Sequence, residues 1–454
     1  MNNLRLILLL IITVLLVTPS VQAASQYQDE KSKKRKAKKK KNKKKLSKKE
    51  KTTEKKKKAV KKSKKSKFLR HFNGHMNLGL GYDSNVYSTP SSPYVDYSTA
   101  TYEANGVLTP ITYNGAFTYV DFLMEYDHRI NKKLFLLADY KYKGRLYFGN
   151  TLKNADNYHQ TFDFGALYKF KNTNIRKRHL KVQAFKGEDY TIYFDHDDGD
   201  HKLNAAGVDV SNRNQYVHTG VKTNFYVQQR KWEYNAKFLY EFLNYPTPSA
   251  WSELDHHHFY LLANAKYSSK KGHKTLFGYK YSVRNYLYRG SYAIVAGKPK
   301  LITVTNDPTA TRLYTYHDLH AKYNYKLSKN YRALLGYKYT YRIDGYAGYN
   351  TSHKNQITAD LRYKFNKKVK SEFGLLYAYT DFPTAWAFDR EPTDLTLLKG
   401  DKYYSKIATH LKASYRQSKK FSYELDFQYK NYNSSDDRYI YDRFLSILSM
   451  KYKF

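Results

Sequence analysis

The sequence has no cysteine, which removes disulfides, thiolate metal ligands and a thiol nucleophile together. Long aliphatic runs are missing beyond Val17, so no later segment offers the roughly 18 apolar residues that a spanning helix needs. Acids are scarce: 39 Asp and Glu stand against 81 Lys and Arg in 454 residues, a formal net charge of +42. No Gly-x-Ser-x-Gly elbow is present and no Ser/His pair stands out, so nothing local supports an enzyme. What the chain has in excess is tyrosine, 50 residues of it. An apolar ring with a polar tip suits a surface that is greasy but partly wet.

The opening "MNNLRLILLLIITVLLVTPSVQAAS" has a basic Arg5, an apolar stretch from Leu6 to Val17 and a small-residue end at Ala23. This is the pattern of a secretory signal peptide over residues 1–23, and its apolar run is too short for a spanning helix. Residues 24–70 follow as a lysine-rich tail. From Lys31 to Lys67 the tail holds 24 Lys and Arg against two acids, just over half of the chain's net charge. Like charges without apolar residues cannot offset chain entropy, so disorder is expected here. Behind a signal peptide, nucleic acid is excluded as a partner. The polyanions left are lipid head groups, lipopolysaccharide phosphates and acidic cell-wall polymer.

Residues 71–454 change to strict alternation. "NYRALLGYKYTYR" places Tyr331, Ala333, Leu335, Tyr337, Tyr339 and Tyr341 on one face, with Arg332, Lys338 and Arg342 on the other. "QITADLRYKF" and "FSYELDFQYK" repeat the rhythm. Period two means strands. Short polar turns such as "NKK" at 131–133 and "QSKK" at 417–420 alternate with long loops such as 84–114, 195–214, 290–311 and 384–400. Short turns at one rim and long loops at the other predict an all-β fold, a transmembrane antiparallel barrel of about 16 strands. A secreted sandwich would favour Val, Ile and Leu inside, and its second face would not be this charged.

The chain ends "FLSILSMKYKF". Leu448, Met450, Tyr452 and the final Phe454 share one parity, and this ending resembles the C-terminal signature of bacterial outer-membrane proteins. The resemblance implies the outer membrane of a Gram-negative bacterium, both termini periplasmic, and recognition by the barrel-assembly machinery. "NLGLGYDSNVYSTP", with Gly79, Gly81, Tyr82, Asp83, Asn85 and Val86, is similar to the opening of barrels in surface lipoprotein assembly modulators and polysaccharide exporters.

A barrel of this size is wide enough for an aqueous channel. Its polar parity carries Lys141, Lys143, Arg145, Lys280, Arg284, Lys338, Arg342, Arg362, Lys406 and Lys412, with fewer acids such as Asp139, Asp163, Asp318, Asp360, Glu424 and Asp426. Positive walls concentrate anions. The expectation is therefore a porin-like channel for small anionic solutes, with a homotrimer left open. An export or assembly barrel and a loop-plugged adhesive barrel stay as alternatives. In the loop "DHDDGDH", Asp195, Asp197, Asp198 and Asp200 are candidates for a constriction facing the basic wall. A calcium site there is disfavoured, because its glycine falls one place early for an EF-hand and no Glu closes the loop. "ELDHHHFY" puts His256 and His258 on one face, and reads as a rim cluster ahead of a zinc site. No metal or cofactor is assigned.

Overall fold

The computed structural model describes residues 71–88, 91, 112–149, 152, 155–171, 177–191, 215–245, 254–296, 298–386, 401–435 and 439–454. The leader, the lysine-rich tail and the acidic loop Asp195–Asp200 lie outside these residues. Seventeen strands are present: β1 Phe72–Asp83, β2 Gly115–Arg129, β3 Leu134–Tyr147, β4 Asn157–Lys169, β5 Lys177–Thr191, β6 Tyr216–Gln229, β7 Trp232–Asn244, β8 His256–Ser268, β9 Lys274–Val295, β10 Lys298–Ile302, β11 Thr311–Lys326, β12 Tyr331–Asp344, β13 Ser352–Lys364, β14 Val369–Trp386, β15 Asp401–Arg416, β16 Phe421–Ser434 and β17 Tyr441–Lys453. Each of the others pairs antiparallel with its neighbours along the wall, while β10 only folds back on the end of β9. The last strand pairs with the first over nine residues, from His75 opposite Lys453 to Asp83 opposite Leu445. The wall is thus a closed barrel of sixteen strands, joined by seven short turns at one rim and eight longer connections at the other. Closure leaves no edge of unpaired backbone groups, as lipid demands.

Four of the short turns share one device. Asn131 Oδ1 accepts from the backbone N–H groups of Lys133 and Leu134 at 2.8 and 2.9 Å. Asn366 does the same for Lys368 and Val369, at 2.7 and 2.9 Å. Ser328 and Ser418 use their hydroxyls likewise, with distances of 3.0 to 3.1 Å. A short side-chain oxygen at the turn's first residue substitutes for a backbone acceptor, which is why these turns read Asn-Lys-Lys, Ser-Lys-Asn and Ser-Lys-Lys.

The parity read from the sequence is the one observed. Leu335, Tyr337, Ile357, Leu361, Tyr423 and Leu425 project from the outer wall. Aromatics gather near the short-turn rim: Tyr331 stacks on Tyr363 at 4.3 Å, Phe421 meets Tyr452 at 4.8 Å and Trp232 meets Tyr267 at 5.1 Å. Towards the long-loop rim, Tyr hydroxyls bond outward histidines, Tyr279 with His317 and Tyr339 with His353, both at 2.7 Å. These are the two interfacial girdles of a membrane barrel. The chain is a transmembrane β-barrel of outer-membrane type, with the short turns and both barrel ends on the periplasmic rim.

Two loops are shorter than the sequence suggested. The expected loop 290–311 begins with β9 continuing to Val295, turning at Ala296 (φ 48°) and returning as β10. Pairing from Ser291 opposite Ile302 to Val295 opposite Lys298 sustains this ribbon outside the wall. The expected loop 384–400 loses its first residues to β14, where Phe382 and Ala385 pack with Tyr349.

Candidate functional site

The candidate site is the inner wall. All ten cations assigned to the lumen lie on the inward parity, as the register shows from Lys143 opposite Asp121 to Lys412 opposite Asp426. Four of them are neutralised. Lys141 pairs with Asp163 at 3.2 Å, Lys338 with Asp318 at 3.1 Å, Arg362 with Glu372 at 2.8 Å and Lys412 with Glu424 at 2.9 Å. Lys222 also reaches Asp163 at 2.6 Å. Lys143, Arg145, Lys280, Arg284, Arg342 and Lys406 have no carboxylate at ion-pair distance among the described residues.

Most of those six sit over rings instead. Lys280 lies 4.6 Å from the Tyr260 ring, Arg342 4.7 Å from Tyr314, Lys406 4.6 Å from Tyr432 and Arg145 5.4 Å from Phe117. Cation–π attraction holds a charge in place without neutralising it. The sequence reading had sent aromatics outward, yet Phe117, Tyr147, Phe185 and Tyr314 are inside and buried. They fall on the polar parity, Phe117, Tyr147 and Tyr314 near the long-loop ends of their strands and Phe185 at the middle of β5.

These inward rings belong partly to the roots of the first long loop. Val86 is buried among Phe117, Tyr147, Leu152, Leu445 and Ile447, with Tyr87 and Tyr113 packed against the group. The Val86 N–H donates to the Tyr113 carbonyl at 2.9 Å. Beneath it Asp83 is wholly buried. Its carboxylate accepts from both Arg443 Nε and Nη2, from the Tyr147 hydroxyl at 2.9 Å and from the Asn85 N–H at 3.2 Å. Gly81 is required here, because a Cβ would stand 2.2 Å from Phe117 Cζ. The stretch of β1 that resembled exporter barrels is therefore a device for closing β1 on β17 and β2. Leu448, Met450, Tyr452 and Phe454 project outward, and the Phe454 ring fills the space that a Cβ on Gly74 would occupy.

A different arc occupies β4 to β8 at the long-loop end. His159 Nδ1 lies 2.7 Å from Asp189, His218 Nδ1 3.2 Å from Glu241, and His258 Nδ1 2.8 Å from the other Glu241 oxygen. Four of these five residues were not singled out from the sequence, and their one signal is position: inward parity, towards the long-loop ends of successive strands. The "ELDHHHFY" stretch divides its labour. His256 bonds the Leu254 carbonyl at 2.8 Å, His257 points outward to the Tyr240 hydroxyl, and only His258 joins the arc. Asp255 staples the loop by accepting from the Tyr245 N–H at 2.7 Å. Burial pushes the Tyr245 hydroxyl up to about 12, so it stays neutral. An apolar hollow of about 610 Å³, lined by Phe225, Ala236, Ala263, Phe277 and Leu319, is on the outer wall and faces lipid.

No family model matches the sequence, and no curated protein matches it. Among solved structures the chain is similar to OccAB1 of Acinetobacter baumannii, at 9% identity and a TM-score of 0.43 over 87% of this chain and 99% of that one. It is similar to OmpT, an outer-membrane protein of Vibrio cholerae, at 9% identity and 0.42 over 84% and 97%. A bacterial polysaccharide outer membrane secretin aligns at 7% identity and 0.40 over 84% and 98%. The barrel class rests on the closed sheet and its two girdles.

Proposed function

We propose that this barrel is an outer-membrane channel whose lumen favours anionic solutes, and that it catalyses no reaction. The observation that carries the reading is the row of inward cations from β9 to β16. Lys280 lies within electrostatic reach of Asp318, Lys338, Arg284 and Glu241, Lys354 of Lys338, Lys406 and Asp318, and Lys430 of Arg443, Lys406, Arg145 and Asp83, so cations outnumber acids around Lys354 and Lys430. Adjacent like charges destabilise the empty barrel, and an anion in the lumen relieves that repulsion. A confined positive wall also excludes cations.

The test is single-channel recording of the refolded protein in a planar bilayer under a salt gradient. The expected reversal potential is anion-selective, and Lys280→Glu with Lys354→Glu and Lys406→Glu shifts it towards cations. A cation-selective wild type, or no conductance from a folded barrel, refutes the reading. The interleaving of these cations with Tyr260, Tyr314 and Tyr432 supports a second reading, passage of an anionic saccharide chain, since sugar rings stack on aromatics. Transient blockade of the current by a soluble anionic oligosaccharide, and not by a neutral one of equal size, would favour it.

A further inference from the structure

We propose that the inner wall at the outer mouth binds a borderline divalent transition cation such as Zn²⁺, through His159, Asp189 and His218. One ligand atom from each of these residues lies within 4.8 Å of the other two. Donors about 2.0–2.2 Å from a tetrahedral Zn²⁺ stand roughly 3.3 Å apart, so small χ rotations complete the set. His218 carries the argument. Its residue is 8% exposed and its Nε2 has no hydrogen-bond partner. Its Nδ1 is 3.2 Å from Glu241, while Nε2 is 3.7 Å from Asp189.

When Nδ1–H donates to Glu241, the bare Nε2 lone pair confronts a carboxylate. Two acceptors facing each other are unfavourable unless a proton or a metal cation lies between them, and the His159 ligand atom beside the same carboxylate makes room for the metal. A metal-binding histidine normally makes the Nδ1 contact, donating its second N–H to a carboxylate that fixes the ring and raises its basicity. His258 holds the far oxygen of Glu241 at 2.8 Å and so orients that carboxylate. The ring fits because residue 187 is glycine: a Cβ there would lie 2.1 Å from His218 Nε2.

The ligand chemistry selects the ion. Two imidazoles and a carboxylate suit Zn²⁺, Cu²⁺ or Ni²⁺, whereas Ca²⁺ wants six to eight oxygens. A second trio, Asp360, Glu372 and His410, has similar spacing. There Arg362 already grips Glu372 through two bonds, at 2.8 and 3.0 Å, and its charge repels a metal. No Lys or Arg makes an ion pair with Asp189 or Glu241 among the described residues. His159 is 45% exposed in its side chain, so the ion enters from the lumen and keeps a fourth position open to water or a solute.

The test is calorimetric titration of Zn²⁺ into the EDTA-stripped full chain, folded in detergent, with heat-modifiable gel migration as the folding control. One Zn²⁺ per chain is expected. His218→Ala or His159→Ala should abolish it, Glu241→Gln should weaken it about 10–100-fold, and Glu372→Gln should leave it unchanged. The half-exposed His159 makes His159→Ala the variant to rely on where His218→Ala does not fold. Co²⁺ should give the visible absorption of a tetrahedral site, lost in His159→Ala. No Zn²⁺ uptake, unchanged uptake in His159→Ala, or equal affinity for Ca²⁺ overturns the proposal. Conductance plays no part in these readouts, so the site and the anion channel stand or fall separately.

Discussion

Arg443→Ala should be among the most costly single truncations in this barrel. Asp83 is fully buried, and its carboxylate takes three of its five hydrogen bonds from the Arg443 guanidinium, which is itself 19% exposed. Removing the arginine leaves the Tyr147 hydroxyl and the Asn85 N–H to hold a dehydrated negative charge. Breaking a buried pair from one side costs about 3–5 kcal/mol, because the surviving charge is uncompensated. Asp83→Asn should cost less, about 1–3 kcal/mol, since the guanidinium still reaches water and the Ser88 hydroxyl at 3.2 Å. Lys412→Ala is the control. Its pair with Glu424 has side chains 38% and 24% exposed, and such a pair contributes about 0–1 kcal/mol. Urea unfolding of the three variants in detergent micelles, followed by tryptophan emission, compares them on one scale, and an unchanged slope certifies a stability effect. If Arg443→Ala costs no more than Lys412→Ala, the β1–β17 seam is wet and the account of its closure is wrong.

Two further outcomes follow from the packing. Gly81→Val should destabilise the barrel by about 1–3 kcal/mol or block folding by driving a methyl into Phe117, and adding Phe117→Ala should restore migration as a folded species. Ile357, 54% exposed at the middle of β13, faces lipid, so Ile357→Arg should cost about 2–4 kcal/mol in vesicles. Gln356→Arg, one residue away on the lumen side, should cost under about 1 kcal/mol; similar losses at both positions would reverse the face assignment.

The barrel was legible because its wall has one structural rule repeated sixteen times. Tyr331 to Tyr341 and Phe421 to Tyr429 alternate without interruption, and four of the short turns announce themselves through Asn-Lys-Lys, Ser-Lys-Asn or Ser-Lys-Lys. Where the rule relaxes, reading failed. Leu445 and Ile447 share the cationic parity of Lys451 and Lys453, and periodicity alone does not say that they meet Val86 and Phe117 in a small internal core. Pairing was equally hidden. Lys141 and Asp163 look like any two lumen residues until the register of β3 and β4 brings them within one strand of each other. The His159–Asp189–His218 trio needs three strands aligned at once, and no local spacing encodes it. Asp195, Asp197, Asp198 and Asp200 lie outside the described residues, so the lumen that is described owes its character to the wall and to the roots of the first loop.

The Asp83–Arg443 contact joins residues 360 positions apart, and this has a kinetic meaning. A hairpin such as β6–β7 can form as soon as its own residues are available, but the seam cannot, because its two halves are made 360 residues apart. Loop-closure entropy over such a span rises slowly with length, so the delay is set by synthesis and delivery more than by the cost of closing. Until Tyr441–Lys453 arrives, β1 presents an open row of amides that any other extended strand could occupy. A stop codon between Ser434 and Tyr441 would therefore leave fifteen strands that are individually sound yet an open sheet, prone to pair with another copy. Truncation here behaves as a threshold, with no gradual loss before it.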